Sequence, residues 1–197
     1  GMEIPHIADW NLVGLPLNVD DASVVILFPE SIEGTLFSFE GSYVQEDMLV
    51  PGIGYCLRFE SEGTTVLTGT SINSLALDLA EGWNLISGIS STVSVNDIGD
   101  SGEIIIPGTI YGYNGSYVQA EIIEPGNGYW MRTTEAGSIT ISNTLGRREQ
   151  TRHLFVNNPE GNILKFKNGM VLYFGIDLSE ENFLNYSLPP KIPGGFD

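Results

Sequence analysis

The sequence predicts an all-β protein of two tandem β-repeats, sandwich- or barrel-like, with a C-terminal β-meander extension. Three observations predict this class. A stretch at residues 34–58 recurs at residues 108–132. The 24 glycines and 10 prolines are spaced between short runs of β-branched and aromatic residues, as the turns of such folds require. Those runs alternate with a period of two, and no segment has a convincing helical stripe.

The duplication is explicit when the chain is compared with itself. At an offset of 74, residues 34–68 align with residues 108–142 without a gap, and 13 of the 35 pairs are identical. The triplet Trp-Asn-Leu at 10–12 returns at 83–85, so each unit is expected to begin at its Trp. Self-similarity at a fixed period indicates one structural unit used twice. The predicted regions are a leader (1–9), repeat 1 (10–82), repeat 2 (83–150) and a C-terminal extension (151–197).

Alternation within a repeat predicts its strands. Phe37 and Phe39 share one face of a strand, and Tyr111 and Tyr113 share the equivalent face in repeat 2. The apolar run at residues 24–28 predicts a short buried strand. Both repeats are therefore expected to bury a stripe of aromatic rings.

Turn residues predict how the strands connect. Asn114-Gly115 indicates a tight hairpin turn with positive φ at both residues. Pro51-Gly52, like Pro125-Gly126 in the copy, suits a type II turn, and a second hairpin is expected from each. Beyond residue 150, the runs at 153–158, 162–168 and 170–176 predict a three-stranded meander. The prolines at 189, 190 and 193 then favour an extended exit segment.

Charge and hydropathy limit the partners. Residues 1–146 hold two basic and 19 acidic residues, whereas residues 147–197 hold six of each. A negative field of this kind repels phosphate backbones and anionic lipid, and no apolar run has the ~18 residues that a membrane span needs. Nucleic-acid binding and membrane insertion are therefore not expected, and the acidic surface fits a soluble extracellular domain.

Few side chains are suited to catalysis. His6 lies in the leader and His153 in the extension, so neither a histidine metal site nor a Ser-His-Asp relay can readily form from the repeats. No glycine-rich phosphate loop opens a helix. The lone Cys56 is expected to be a buried apolar filler. These observations predict a non-enzyme with no cofactor; an acidic all-β chain offers many carboxylate pairs, so a hydrolase is disfavoured without being excluded.

Calcium is the metal that the oxygen-rich loops would suit best. The candidate ligands are Asp20 with Asp21, and Asn96 with Asp97 and Asp100. Their spacing matches no EF-hand loop, and solvated acidic turns explain them equally well. We therefore predict no tight metal site.

The aromatic stripe has two interpretations. The rings form a core, or Tyr43, Tyr117 and Trp130 form a partly exposed platform for sugar rings. The candidate ligand surface is assigned to repeat 2, since Tyr replaces Phe there and a hydroxyl favours a ring edge that reaches solvent. Its residues are Tyr111, Tyr113, Tyr117 and Trp130. The divergent loop at residues 95–103 is a second candidate for recognition and for mobility.

Arg58 and Arg132 occupy equivalent positions and are the only basic residues before residue 147. If residues 51–54 centre a hairpin, Arg58 lies opposite Asp47, and Arg132 lies opposite Glu121 in the copy. The sequence therefore predicts two cross-strand ion pairs.

Several of these motifs together resemble a known group of proteins. The repeated Trp-Asn-Leu with a later Gly-Tyr-Trp, then Leu-Tyr-Phe-Gly at 172–175 and Leu-Pro-Pro to Gly-Gly-Phe-Asp at 188–197, resemble secreted and cell-surface bacterial proteins exported by type IX secretion. In that class such segments precede a C-terminal sorting domain, which is absent from this sequence. The resemblance implies an extracellular or cell-surface location and supplies no catalytic residues.

Together these features lead to one functional expectation. The chain is expected to be a non-catalytic module of a larger bacterial surface or secreted protein, serving display, spacing or adhesion. Its partners would be other domains of the same polypeptide and an extracellular glycan or protein. The alternative is a carbohydrate-binding accessory module of a secreted enzyme.

Overall fold

The structure is a computed structural model that describes residues 1–143, 154, 162–165, 171–174 and 184–194. It is all-β, as predicted. The strands are β1 (Met2–His6), β2 (Asp9–Gly14), β3 (Leu17–Asn18), β4 (Phe37–Phe39), β5 (Tyr43–Gln45), β6 (Gly54–Phe59), β7 (Gly63–Leu67), β8 (Thr70–Ser71), β9 (Ser74–Leu79), β10 (Gly82–Ser87), β11 (Val93–Ser94), β12 (Tyr111–Tyr113), β13 (Tyr117–Gln119), β14 (Ile122–Ile123), β15 (Gly128–Thr133), β16 (Gly137–Ser142), β17 (Asn162–Lys165) and β18 (Val171–Phe174).

The two repeats build the same sheet. In repeat 1 the strand order is β2-β6-β4-β5, and in repeat 2 it is β10-β15-β12-β13. The long pairings are antiparallel and match in register, because Leu12 lies opposite Cys56 and Leu85 lies opposite Trp130. The two four-stranded sheets are therefore related by the sequence repeat.

Alternation gives each sheet two buried faces. Tyr55, Leu57 and Phe59 of β6 lie in the core of repeat 1, whereas Cys56 between them lies in a cluster that both repeats share. Residues of a strand point to opposite faces in turn, so each sheet covers its own core with one face and meets the other repeat with the other face. The core of repeat 2 is built mainly from isoleucine and leucine side chains.

The repeats begin one strand earlier than Trp10 and Trp83. β1 pairs with β7, and β9 pairs with β16 in the equivalent register. Residues 1–9, predicted to be a leader, therefore supply the first strand of repeat 1. Its Ile4 is 2 % exposed and lies in that core. The Trp-Asn-Leu triplet marks the second strand of each unit.

The run at residues 24–28 is not a buried strand. Val24–Leu27 forms a single helical turn, α1, in which Val25 and Ile26 are each 61 % exposed. Repeat 2 has a 3-10 turn at the corresponding place, Val95–Asp97. An apolar run of this length does not distinguish a strand from a helical turn by its pattern alone.

The turns are partly as predicted. Gly52 and Gly126 have φ values of 91° and 81°, which fits the expected positive φ after proline. The hairpin at β12-β13 is present, but its loop contains three residues, with a bond from the Asn114 N–H to the Ser116 carbonyl, and only Gly115 has positive φ. The second hairpins are wrong, because β6 pairs with β2 and β4 and not with the residues before Pro51.

The repeats also exchange backbone hydrogen bonds. The Gly14 N–H at the end of β2 donates to the Gly126 carbonyl at 2.9 Å, and the Ser87 N–H at the end of β10 donates to the Gly52 carbonyl at 2.9 Å. Two isolated bridges accompany these bonds, Val13 with Asn127 and Ile53 with Ile86. Each sheet therefore ends on the Pro-Gly turn of the other repeat.

The C-terminal extension is described in part. β17 and β18 pair antiparallel, as expected for two strands of the meander. The first predicted strand, at 153–158, lies outside the described residues apart from Leu154, which is 3 % exposed and packs in the core of repeat 2. Among the described residues no helix has the length and apolarity to cross a lipid bilayer.

Candidate functional site

An aromatic cluster fills the space between the two repeats, and we call it the aromatic seam. Its centre is formed by two pairs of equivalent residues, Leu12 with Leu85 and Cys56 with Trp130. Partly buried rings surround this centre, four from each repeat: Trp10, Phe37, Phe39, Tyr43, Trp83, Tyr111, Tyr113 and Tyr117. Each ring has an equivalent in the other repeat, so the seam has an approximate twofold symmetry.

Trp130 is the largest member and the most enclosed. Its ring packs edge-to-face against Phe39 at 4.8 Å and against Trp83 at 6.2 Å between ring centroids, geometries that aromatic pairs favour. The Trp130 side chain is 0 % exposed. It was predicted to belong to a partly exposed ligand surface, and this is wrong for Trp130, because the facing repeat covers the ring.

The tyrosines of the predicted ligand surface are only half-buried. Tyr113 and Tyr117 pack on each other at 5.4 Å, and Tyr111 lies against Trp83 at 6.3 Å. The structure thus brings the four predicted residues together in the seam. Binding of sugar by the tyrosines stays a prediction.

Cys56 occupies the position of Trp130 in repeat 1. Its side chain is completely buried and makes no disulfide, as predicted for an apolar filler. Burial raises the pKa of the Cys56 thiol to about 12, and the neighbouring Tyr43 hydroxyl opposes that rise. The small side chain leaves room in the seam for the large indole of the other repeat.

The proline-rich segment covers one edge of the aromatic seam. The Tyr117 hydroxyl donates to the Pro190 carbonyl at 2.6 Å, and the equivalent Tyr43 hydroxyl donates to the Lys191 carbonyl at 2.6 Å. Pro189 is buried. The segment therefore bonds to both repeats through equivalent side chains, a contact that the sequence analysis missed. The sequence signal that could have indicated this contact is the retention of tyrosine at the equivalent positions 43 and 117.

Two grooves flank the seam at equivalent places. The larger groove has a volume of about 550 Å³ and lies between the repeats. It is lined by Phe39, Glu40 and Glu46 of repeat 1 and by Trp83 of repeat 2, among others. Its counterpart on repeat 2 has a volume of about 270 Å³. Within the larger groove the Ser38 hydroxyl donates to the Glu46 carboxylate at 2.9 Å. The two grooves therefore differ in volume.

The predicted ion pairs are replaced by other contacts. The Arg58 Nε donates to the Asp9 carboxylate at 2.5 Å, not to Asp47. Arg132 donates from Nη1 to the Ser187 hydroxyl at 2.7 Å and lies over the Trp83 ring at 5.8 Å, not beside Glu121.

The physical reason is the strand order. Each arginine-bearing strand pairs with the Trp-Asn-Leu strand, so Arg58 faces Trp10 and Arg132 faces Trp83 in the ladder. Asp47 and Glu121 instead use their backbone carbonyls to accept bonds from the two helical turns, which lie in equivalent places.

Polar residues that the repeats share are used to hold the backbone. The Asn11 amide bonds both the N–H and the carbonyl of Ile7, and the Asn84 amide does the same with Ala80. Both pairs of distances agree, at 3.0 and 2.9 Å. The hydroxyls of Thr35 and Thr109 and of Tyr55 and Tyr129 also bond equivalent backbone groups.

The candidate metal ligands bond mainly to the protein itself. Asp21 accepts bonds from the N–H and hydroxyl of Ser23, which lower its pKa. Asp100 accepts from two backbone N–H groups, and the Asn96 oxygen accepts from the Leu154 N–H at 2.8 Å. In the described part of the chain no three His, Cys, Asp or Glu side chains are grouped as a metal site would need.

The loop at residues 95–103 and the histidines have structural contacts. Val95 and Ile98 are 0 % exposed, and Gly99 exchanges two backbone bonds of 2.8 Å with Thr140. His6 stacks on Phe59 at 3.8 Å and is 8 % exposed. His153 lies outside the described residues. The loop is therefore anchored on repeat 2 where the sequence suggested mobility.

Comparison of the chain with protein-family models, with curated proteins and with solved structures finds no match. The functional assignment consequently depends on the geometry of the aromatic seam and on the sequence.

Proposed function

We propose that the chain is a non-catalytic extracellular module of a larger bacterial surface or secreted protein, serving display, spacing or adhesion. The observation that carries the proposal is the use of the shared polar side chains. Asn11 and Asn84, and Thr35 and Thr109, bond the backbone at matching positions in both copies. A duplicated catalytic site would instead retain polar groups that converge on one open point.

The packing of the repeats supports a role in spacing. The seam between the sheets is filled by aromatic rings, and backbone bonds cross from Gly14 to Gly126 and from Ser87 to Gly52. Interdigitated apolar contacts and paired backbone groups oppose relative movement. Such a pair of repeats acts as one rigid unit, as a spacer requires.

Two measurements test this proposal. A broad panel of glycosidase and peptidase substrates should give no turnover by the intact chain, and antibody to the chain should label intact cells of the producing bacterium. Turnover that disappears in Glu46→Gln would overturn the non-catalytic assignment. Labelling only after cell lysis would overturn the extracellular one.

The larger groove favours carbohydrate binding as a second candidate function. Trp83 and Phe39 line it beside the carboxylates of Glu40 and Glu46. Apolar rings with a few convergent polar groups are typical of ligand pockets. If the groove binds carbohydrate, the chain should bind glycans on an array, and Glu46→Gln should abolish that binding. Glu124→Gln, in the smaller groove, should leave it unchanged. An array without signal removes the candidate.

A further inference from the structure

We propose that the aromatic seam is a binding site for a proline-rich peptide, and that residues 187–194 of this chain, which end in a turn at Pro193-Gly194, are its ligand. This goes beyond the proposed spacing role and does not depend on it. The site is defined by Tyr43, Tyr117 and Arg132, which contact the segment, and by the rings beneath them.

Two equivalent tyrosines contact two consecutive carbonyls of the segment. Tyr117 donates to the Pro190 carbonyl and Tyr43 to the Lys191 carbonyl, each at 2.6 Å. Carbonyls of a polyproline-type strand have no internal partner, so they are free to accept bonds from a binding surface. Aromatic grooves that present such donors recognise proline-rich peptides in general.

The composition of the segment matches this mode of binding. Pro189, Pro190 and Pro193 each fix φ near −65°, and so the segment loses less conformational freedom on binding than a flexible one. Pro189 is buried, whereas Leu188 is 55 % exposed. Two backbone carbonyls and the Ser187 hydroxyl of the segment accept bonds from the seam, so recognition uses the backbone as well as the side chains.

One difference between the repeats sets the direction of the peptide. Arg58 is held by Asp9, but Gly82 stands at the position of Asp9 in repeat 2. Arg132 therefore lacks that partner and donates to the Ser187 hydroxyl at 2.7 Å. The segment thus begins at Arg132 on repeat 2 and crosses to Tyr43 on repeat 1.

Charge favours the same complex. Lys191 is the charged residue of the described segment 184–194, and residues 1–146 carry 19 acidic and two basic side chains. A cationic peptide is attracted to such a surface. Added salt should weaken the attraction, because ions screen exposed charges.

The test uses the full chain and a fluorescent peptide with the sequence of residues 187–194. In a chain with Pro189→Ala and Pro190→Ala, the chain's own segment should bind the seam more weakly. Fluorescence anisotropy should then show saturable binding of the free peptide. The same peptide should bind less to the unsubstituted chain, since its own segment competes. A peptide with alanine at all three prolines should bind much more weakly.

Matched substitutions identify the site. Added to the Pro189→Ala, Pro190→Ala chain, Tyr117→Phe and Tyr43→Phe should each weaken peptide binding by roughly threefold to tenfold, the usual effect of losing one hydrogen bond. Tyr129→Phe, in the core of repeat 2 and outside the seam, should leave binding unchanged.

Circular dichroism confirms that each variant is folded. The proposal is overturned if the folded Pro189→Ala, Pro190→Ala chain shows no saturable binding of the peptide. It is also overturned if adding Tyr117→Phe or Tyr43→Phe leaves the affinity for the peptide unchanged. Equal binding of the alanine peptide overturns it too.

Discussion

The two repeats have sheets of the same topology but differ in the residues at which they meet. Asn11 and Asn84 make the same hydrogen bonds. At another pair of equivalent positions, repeat 1 has the small side chain of Cys56 and repeat 2 has the large side chain of Trp130. The shared residues specify the fold of each copy. The differing residues specify how the copies fit each other. Both copies contact the proline-rich segment through equivalent tyrosines, and only the bond from Arg132 to Ser187 is particular to repeat 2.

The largest difference is expected at the seam position that Trp130 and Cys56 occupy. Trp130→Ala should lower the free energy of unfolding by about 3–5 kcal/mol, because it removes a completely buried ring and leaves a cavity. Cys56→Ala should cost far less, since it removes one buried sulfur. Denaturant unfolding of both variants checks the comparison, and equal losses would contradict a seam centred on Trp130.

A smaller and equal effect is expected at Asn11 and Asn84. Each amide satisfies backbone groups at the entry to the second strand of its repeat. Because these bonds are exposed, Asn11→Ala and Asn84→Ala should each cost about 0.5–1.5 kcal/mol. Thermal unfolding of the two single variants tests the symmetry. A loss in one variant alone would show that the copies do not use the residue in the same way.

Alkaline pH should also distinguish the seam position. Burial raises the pKa of Cys56 from 9.0 to about 12, so above pH 9 the folded chain keeps a proton that the unfolded chain releases. The stability is fully present below pH 9 and then falls by up to about 1.4 kcal/mol per pH unit until about pH 12. Urea unfolding of the reduced chain between pH 8 and 10 measures this slope.

Cys56→Ala is the control for that slope. The variant should lose stability less steeply between pH 9 and 10, while the buried tyrosines continue to contribute at higher pH in both proteins. Parallel pH profiles for the two proteins would show that the thiol does not titrate as its burial requires.

The smallest effect is expected at the position of Asp9 and Gly82. Both residues have positive φ, 72° and 89°, which glycine adopts without the steric cost that Asp meets. Asp9→Gly removes an exposed ion pair worth less than ~1 kcal/mol and relieves the backbone, so the net change in stability should stay within about 0.5 kcal/mol. A thermal shift of many degrees would contradict this balance.

Much of the fold was predictable from the sequence, because the repeat offset, the turn glycines and the two-residue period are local signals. The strand order was not. The ion pairs assigned to Arg58 and Arg132 assumed that a Pro-Gly turn joins paired strands, and only long-range packing shows that β2 and β10 occupy those places. The first strand of repeat 1 was missed for the same reason, since β1 finds its partner some 60 residues away. The equivalent strand β9 fell within the bounds predicted for repeat 1.

The candidate site was predictable only as a set of residues. The sequence indicated Tyr111 and Tyr113 because they replace Phe, and Tyr117 because it is retained. It contained no signal that the facing repeat covers Trp130. The contact between Tyr117 and Pro190 joins residues 73 positions apart. No local pattern encodes such a contact.

The reciprocal bonds from Gly14 to Gly126 and from Ser87 to Gly52 have a thermodynamic consequence. An interface in which equivalent groups contact each other across a twofold relation is the isologous interface of a homodimer, here enclosed within one polypeptide. A dimer loses stability on dilution because its subunits separate. This chain keeps its two halves at a fixed effective concentration set by the connection between them. The stability of the contact between the repeats therefore does not depend on protein concentration.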